Sequence, residues 1–313
     1  MSPRILGLHH VTATVDGAQD DLDFCLGTLG LRLVKKTVNF DNHHVYHFYY
    51  GDERGAPGTL WTTFPYKDKG VPVGRQGAGQ IAVTSFSVPS ASLDCWAKRL
   101  RDRRIDVLDS RPRFGEACLA FRDRSGLLFE VVGADDDARA PWRGALEEGA
   151  AIRGLHSVAL VVREAGPTRD FMTTTLGYHV VDEMEGRIRM AVGGDGPGHV
   201  VDILHDATAT PAKNGLGTVH HVAMAIGTDE EQQAVRADLL DRGYQVTEIR
   251  DRQYFKSIYF REPGGVLLEI ATVGPGFLVD EDLHTLGRDL KLPPWEEPSR
   301  SEIETGLASV SYG

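Results

Sequence analysis

The sequence predicts an α+β protein built from four tandem βαββ units, with mixed sheets and with the helices on their outer faces. Two observations support this prediction. Segments with the alternating pattern of a half-buried strand begin at residues 10, 83, 156 and 221, so successive units start 73, 73 and 65 residues apart. Each unit also closes on a segment that begins with glycine, in turn GTLWT, GLLFE, GHVVD and GVLLE.

One helix is predicted between the opening and closing strands of each unit. Apolar residues at i, i+3, i+4 and i+7 indicate helices over residues 22–29 and 93–100. In the fourth unit, Thr228 and Glu231 have the spacing of a capping box at the start of a helix. The helix of the third unit, over residues 168–176, has the weakest pattern because it contains a run of threonines.

The four units are predicted to form two halves. Residues 1–133 contain two units, and residues 153–275 contain the other two. The segment between them, 134–152, is polar and acidic enough to be a linker. A tail over residues 276–313 contains no further repeat.

Composition excludes several classes of partner. The chain has 313 residues and a net charge of −11, which argues against nucleic acid or an anionic membrane as a partner, since both favour a basic face. No run of apolar residues approaches the roughly 20 needed to span a membrane, and no signal peptide is visible. The three cysteines (Cys25, Cys95 and Cys118) have no metal-binding spacing. We therefore expect a cytoplasmic protein with reduced thiols.

Two positions recur with chemistry-bearing residues. The first position of the opening strands is occupied by His10, Val83, His156 and His221. The fifth position of the closing segments is occupied by Thr62, Glu130, Asp202 and Glu269. Glu269 interrupts the apolar run 266–270, and an unpaired carboxylate in such a run costs several kcal/mol to bury or becomes protonated. A bound metal would supply the partner, with His221 as a candidate ligand.

Several longer motifs accompany these positions. They are LHHVT (8–12), TTFP (62–65), RFGE (113–116), VHHVA (219–223), YFKSIYFREPGG (254–265) and DEDLHTLGRDLKL (280–292). With them the chain resembles the vicinal oxygen chelate superfamily, which includes glyoxalases, bleomycin-resistance proteins and extradiol dioxygenases. Within it, the full set is similar to the hydroquinone ring-cleaving dioxygenases. The resemblance implies two vicinal-oxygen-chelate domains with curved mixed sheets.

The resemblance also implies a reaction and a metal. It predicts a dioxygenase that opens a hydroquinone or a related dihydroxylated ring and inserts both atoms of O₂, with Fe(II), or else Mn(II), as the cofactor. Two imidazoles and one carboxylate form the facial triad of such enzymes, which keeps coordination positions open. The duplicated LHHVT and VHHVA segments favour His10, His221 and Glu269 as the ligands. Thr62 then stands where a glyoxalase-like site has a second carboxylate.

Further residues around the metal are implied by the same resemblance. They are His9, His220, Thr12, Arg252 and Tyr259. His9 and His220 would point to the opposite face of their strands from the ligands unless a bulge turns them. Tyr259 could donate a hydrogen bond to a bound phenolate or to oxygen, and Arg252 could stabilise negative charge. The expected partners are a small aromatic substrate and O₂, and a homo-oligomer is possible.

Alternatives stay open at this point. Neighbouring units usually pack together, which would make His156, His221 and Glu269 the ligands. Glu130, His156 and Asp202 could hold a second metal. The cluster His43, His44 and His47 is expected to be structural, although His47 could face the pocket. The protein could also be a glyoxalase-like metal-dependent isomerase or transferase, or a non-catalytic protein that binds small molecules such as drugs.

Overall fold

The computed structural model describes residues 5–144 and 146–312, and each of the four predicted units is present as a strand, a helix and three further strands. The first unit consists of β1 (Ile5–Val15), α1 (Ala18–Leu22, continued by the π-helical segment Asp23–Leu29), β2 (Arg32–Asn39), β3 (Asn42–Gly51) and β4 (Leu60–Pro65). The second consists of β5 (Gln80–Val88), α2 (Leu93–Asp102), β6 (Val107–Leu108), β7 (Cys118–Arg122) and β8 (Leu128–Gly133).

The third and fourth units repeat this order. The third consists of β9 (Gly154–Val162), α3 (Ala165–Thr174), β10 (His179–Met184), β11 (Arg187–Ala191) and β12 (Val200–His205). The fourth consists of β13 (Thr218–Ile226), α4 (Asp229–Asp241), β14 (Arg250–Asp251), β15 (Lys256–Arg261) and β16 (Leu267–Thr272). The predicted capping box is confirmed, because the Thr228 side chain accepts a hydrogen bond from the Glu231 N–H and the Glu231 side chain accepts one from the Thr228 N–H.

The strands form two mixed eight-stranded sheets. The first sheet has the order β14-β15-β16-β13-β1-β4-β3-β2, and the second has the order β10-β11-β12-β9-β5-β8-β7-β6. Units one and four therefore share one sheet, and units two and three share the other. This confirms the pairing that the duplicated segments favoured, and the alternative pairing of units three and four is wrong. Each sheet combines strands from either side of the segment 134–152, and the division into halves at that segment stays a prediction.

Two β-bulges lie at the centre of the first sheet, where β1 and β13 pair antiparallel. Between Leu8 and His10, β1 has one residue more than its partner, and the extra residue is His9. A matching bulge on β13 precedes His221, and its extra residue is His220. A bulge locally breaks the alternation of side chains between the two faces of a sheet. His9 and His220 are consequently not forced to the face opposite their neighbours.

The second sheet has bulges at the equivalent places. Here the extra residues are Ala82 on β5 and His156 on β9. In register, His156 corresponds to His220, and Ser157 corresponds to His221. The spacing of the four units in the sequence predicts that His156 is equivalent to His221. This prediction is wrong, because a bulge adds one residue to a strand and repeat spacing does not reveal it.

The helices cover the sheets with apolar side chains. Trp96 and Leu100 of α2, Phe171 of α3 and Leu239 of α4 are buried in a core cluster that is continuous with strand residues. Fully burying one such side chain stabilises a fold by about 1.5–3 kcal/mol. All three cysteines have free thiols. Within the described residues no helix is long and apolar enough to span a membrane.

The tail after residue 275 packs along the first sheet. Lys35 of β2 is fully buried, and its ammonium contacts the carboxylates of Asp280, at 2.5 Å, and of Glu281. Beyond this ion pair, a short helix α5 (Arg300–Gly306) buries Ile303 against Val38 of β2. The tail is thus held at two places against β2, the edge strand of the first sheet.

Candidate metal centre and cleft

Three side chains converge at the centre of the first sheet. His10 comes from β1, His221 from β13 and Glu269 from β16, and all three are buried. The two Nε2 atoms are 3.3 Å apart. Glu269 Oε2 lies 2.8 Å from His221 Nε2 and 3.4 Å from His10 Nε2. The sequence-predicted set is therefore brought together by the pairing of β13 with both β1 and β16, although β13 and β16 lie more than 200 residues further along the chain than β1.

The spacing of these atoms fits a metal ion. Donor atoms at right angles around a metal, at bond lengths of about 2.1 Å, are about 3 Å from one another. Glu269 Oε2 is buried and has no hydrogen bond of acceptable geometry, although the two imidazoles are close. Its other oxygen, Oε1, accepts a hydrogen bond from the Ser257 hydroxyl. A buried carboxylate oxygen directed at two imidazole nitrogens is an arrangement that suits a metal ion.

The bulge histidines orient the two imidazoles. Nδ1 of His9 is 2.9 Å from Nδ1 of His10, and Nδ1 of His220 is 2.8 Å from Nδ1 of His221. Nδ1 of His10 and Nδ1 of His221 therefore each face another imidazole, and their Nε2 atoms are left to bind a metal ion. Hydrogen bonds to the second ring nitrogen fix the tautomer and orientation of metal-binding histidines. His9 and His220 thus lie behind the imidazoles of His10 and His221, and the bulges put them there.

The pKa shifts of the buried groups favour an ionised Glu269 carboxylate beside neutral imidazoles. Burial lowers the pKa of His221, and it lowers the pKa values of His9 and His220 to about 3, so these imidazoles are neutral at pH 7. For Glu269, burial opposes ionisation, but His10 and His221 outweigh it and hold the pKa of the carboxyl well below its ordinary value. An ionised carboxylate beside a neutral imidazole still lacks a full positive partner. A divalent cation would provide one.

Thr62 occupies the fourth position around this centre. Its hydroxyl lies 2.7 Å from the hydroxyl of Thr12 and 3.0 Å from Nε2 of His47. Thr62 is therefore held in a neutral hydrogen-bonded chain and offers no charged ligand. His47, expected to be structural, is buried and lines the cleft, so that expectation was incomplete.

Tyr259 and Arg252 lie beside His221 and form part of the wall around the three converging side chains. Tyr259 faces Glu269 across the β15–β16 pair, and its ring lies edge-on to His221 with centroids 5.6 Å apart. Arg252 Nε donates to the Tyr259 hydroxyl at 3.2 Å, and Asp41 accepts from the same guanidinium at 2.9 Å. Burial and the nearby Glu269 carboxylate raise the pKa of Tyr259, so it stays a protonated phenol.

A cleft of about 250 Å³ is lined by His10 and His221, with Glu269 buried behind them. Aromatic rings form much of its wall, among them Tyr49, Phe64 and Phe255. Phe255 also packs against the ring of His10, with centroids 5.2 Å apart. A cavity of about 150 Å³ is enough to hold benzene. The cleft is consequently the right size for one aromatic ring with small substituents.

Known proteins share this arrangement of strands. Residues 154–270 match the model of the Glyoxalase/Bleomycin resistance protein/Dioxygenase superfamily. MhqO of Bacillus subtilis (strain 168), provisionally named a ring-cleaving dioxygenase, is 40% identical over 98% of this chain and 97% of its own. The chain belongs to this superfamily.

Three further proteins are similar to this chain in sequence or in structure. The chlorohydroquinone/hydroquinone 1,2-dioxygenase of Sphingobium indicum is 37% identical, over 96% of this chain and 95% of its own. A crystal structure from Bacillus subtilis, of a protein provisionally described as a dioxygenase, has a TM-score of 0.93 at 39% identity and covers 99% of both chains. Glyoxalase I from Zea mays has a TM-score of 0.66 at 14% identity, over 92% of this chain and 98% of its own, and shows the fold alone. The predicted pair of vicinal-oxygen-chelate domains is confirmed.

At the equivalent place in the second sheet, the described residues form ion pairs instead of a metal-binding group. Asp202 accepts hydrogen bonds from Arg187, at 2.9 Å, and from Arg189, and Glu130 forms a two-pronged ion pair with Arg113. Guanidinium groups thus take the place that a cation would need. Among the described residues, Glu130, His156 and Asp202 do not form a group that could hold a metal ion.

His156 belongs to the same network. Its Nε2 lies 3.0 Å from the Glu116 carboxylate, which also accepts a hydrogen bond from Arg189 at 2.7 Å. Arg113 and Glu116 are the ends of the RFGE motif, so this motif supports the second sheet and does not contribute to the metal centre. Sequence reasoning missed these partners because they come from β11 and from a loop outside the repeat.

Proposed function

We propose that this protein is an Fe(II)-dependent dioxygenase, with Mn(II) as the alternative metal, that cleaves the ring of a hydroquinone or a related dihydroxylated aromatic compound. The observation that carries the proposal is the convergence of His10 Nε2, His221 Nε2 and Glu269 Oε2 at the inner end of a ring-sized cleft. Its closely similar relatives include a chlorohydroquinone/hydroquinone 1,2-dioxygenase, which supports the same reaction class.

The bound metal would provide electron transfer between the ring and dioxygen, which is the part of the chemistry that side chains do not supply. His10, His221 and Glu269 would hold it, and two imidazoles with one carboxylate are the ligand set of iron in oxygenases of the facial-triad type. Thr62 favours this reaction over a glyoxalase-like one, because a hydroxyl engaged with Thr12 and His47 adds no second carboxylate.

The charges of the cleft favour an uncharged substrate. Of the side chains that line the cleft in the described part of the chain, Arg252 alone carries a fixed positive charge. Asp41 pairs with this guanidinium at 2.9 Å, and the Tyr259 hydroxyl takes another of its donors. A ring with a carboxylate substituent would find no free cation. A hydroquinone with hydrogen, alkyl or halogen substituents has no such need.

Tyr259 would manage a proton at the substrate oxygen. As a protonated phenol it can donate to a phenolate oxygen, and Arg252, beside its hydroxyl, favours negative charge that develops there. His220 lines the same cleft, and because its Nδ1 faces His221, its Nε2–H can donate a hydrogen bond to a substrate oxygen. Thr12 contributes indirectly by holding Thr62 in place. These groups orient the ring and move protons.

Metal analysis, O₂ uptake and product analysis with labelled dioxygen test the proposal together. Protein purified without oxygen and loaded with Fe(II) or Mn(II) would be given hydroquinones and catechols while O₂ uptake is followed. We expect one metal per chain, one O₂ consumed per hydroquinone, and an open-chain product that carries two ¹⁸O atoms from labelled dioxygen. Turnover without oxygen would indicate an isomerase or transferase. Unchanged ligand affinity after complete metal removal, without turnover, would indicate a binding protein.

A further inference from the structure

A second group of metal-binding side chains lies outside the cleft. His43 and His44, at the start of β3, meet Glu302 of helix α5, and one ligand atom from each lies within 4.8 Å of the others. These residues come from the first unit and from the tail, so the fold and not the local sequence brings them together. None of them has a role in the proposed ring-cleaving activity.

A fourth side chain orients one of the imidazoles. The Glu296 carboxylate lies 2.8 Å from His43 Nδ1, and both side chains are partly buried, at 15% and 28% exposure. A carboxylate on one ring nitrogen of a metal-binding histidine fixes the ring and makes the other nitrogen a better ligand. His43 Nε2 is therefore left for an ion, while Glu296 supports the ring from behind.

The local charge favours a cation. Arg300, the nearest basic residue on α5, is taken up by Glu297 at 2.7 Å and Glu304 at 2.9 Å. In the two described segments of the chain, no Lys, Arg or His nitrogen forms a salt bridge with the Glu302 carboxylate. The chain as a whole has a net charge of −11. A divalent ion would give Glu302 the positive partner that Arg300 does not provide.

We propose that His43, His44 and Glu302 form a surface site for a divalent transition-metal ion such as Zn²⁺. Two imidazoles and one carboxylate suit Zn²⁺, whereas Ca²⁺ and Mg²⁺ take oxygen ligands. Water would complete the coordination, because His44 and Glu302 border an open surface hollow.

The ion would fasten the tail to the edge of the first sheet. Helix α5 supplies Glu302, and β3 supplies both histidines, so a shared ion ties these two elements together. The turn between β2 and β3 contains Phe40 and Asp41, which line the mouth of the cleft, and Trp295 of the tail packs edge-on against Phe40 with centroids 5.7 Å apart. The site would therefore steady one wall of the cleft from outside it.

Metal counting on the iron-loaded protein tests the site. The protein would be incubated anaerobically with Zn²⁺, freed of unbound ion by gel filtration, and analysed for both metals. We expect one zinc per chain with the iron retained, loss of that zinc in His44→Gln, and at least a tenfold weaker affinity in Glu302→Gln. His179→Gln is the matched control, since His179 is another exposed histidine beside a carboxylate, that of Asp195.

A second readout addresses the fastening of the tail. Zinc should slow tryptic cleavage after Arg300 several-fold in the wild type and not in His44→Gln. The proposal would be overturned by unchanged zinc binding in both His44→Gln and Glu302→Gln, by the absence of zinc at micromolar concentrations, or by zinc that appears only as iron leaves. Because none of these measurements requires turnover, their outcome is independent of the proposed ring-cleaving activity.

Discussion

The two sheets have the same strand order and the same pair of bulges, yet their centres hold different chemistry. In register, the residues His10, His221, Glu269 and Thr62 of the first sheet correspond to Val83, Ser157, Asp202 and Glu130 of the second. The first centre offers two imidazoles and one carboxylate. The second offers two carboxylates, which three arginines neutralise.

This difference shows that backbone geometry alone does not make a metal site in this fold. A buried carboxylate needs a positive partner in either sheet, because leaving it unpaired costs several kcal/mol. Where imidazoles with free nitrogens surround it, a metal can be that partner. Where Arg187 and Arg189 reach it, the charge is already compensated. The two centres thus compensate a buried carboxylate in two different ways. Substitutions in either centre can test this.

The largest expected effect comes from removing the ligands of the first centre. His10→Ala, His221→Ala and Glu269→Ala should each abolish metal loading and lower turnover below detection, because each removes one of only three ligands. Metal analysis and O₂ uptake are the measurements. His156→Ala, which changes the bulge residue of β9 in the second sheet, should keep both the metal content and the turnover. A Glu269→Ala protein that retains iron and activity would refute the assignment of the first centre.

The next effect concerns the wall of the same cleft. Tyr259→Phe removes the hydroxyl that Arg252 contacts and should lower turnover by about 10- to 10⁴-fold, the range for a positioned acid–base group. The metal content should stay at the wild-type level, since Tyr259 is not a ligand candidate. Steady-state kinetics with metal analysis checks both statements. Wild-type turnover in this variant would reduce Tyr259 to a packing residue.

A residue of this arrangement could be predicted where its signal lies within a single strand, and could not where its position depends on how strands pair. Glu269 and His221 were identified because the repeat and the apolar run around Glu269 are visible within single strands. The position of His156 was misassigned by one residue, because a bulge is defined by hydrogen bonding between two strands. His47 reaches the cleft through the pairing of β3 with β4, which the sequence does not specify. The partners of Asp202 likewise depend on pairing between β11 and β12.

Breaking the second centre should cost stability and leave the metal in place. Asp202→Ala would leave the partly buried Arg187 without its carboxylate partner and Arg189 with Glu116 alone, and removing one member of a buried ion pair costs about 3–5 kcal/mol. Urea denaturation would measure the change, together with metal content. Asp195→Ala is the matched control, because Asp195 forms an exposed pair with His179 that is worth less than about 1 kcal/mol. Loss of metal in a folded Asp202→Ala protein would show that the two centres are not independent.

The smallest expected effect separates the two sheets by pH in the metal-free protein. Burial lowers the pKa values of His9 and His220 in the first sheet from 6.5 to about 3. Below pH 6.5 the unfolded chain therefore binds protons that the folded chain does not, and stability falls as the pH falls. From pH 7.5 to 5.5 each histidine should cost about 1.4 kcal/mol, or about 3 kcal/mol together.

The second sheet should not respond in the same range. Burial of Glu116 opposes ionisation, but His156 and Arg189 outweigh it and lower the pKa of this carboxyl from 4.5 to about 2. Its contribution is present above pH 4.5 and is lost only as the pH falls from 4.5 towards 2. In urea denaturation at pH 7.5 and 5.5, His220→Asn should flatten the wild-type dependence by about 1.4 kcal/mol, and Glu116→Gln should leave it unchanged. If His220→Asn keeps the full wild-type slope, the imidazole behind His221 is not neutral in the folded protein, and the metal centre would have to be described with a protonated histidine at its back.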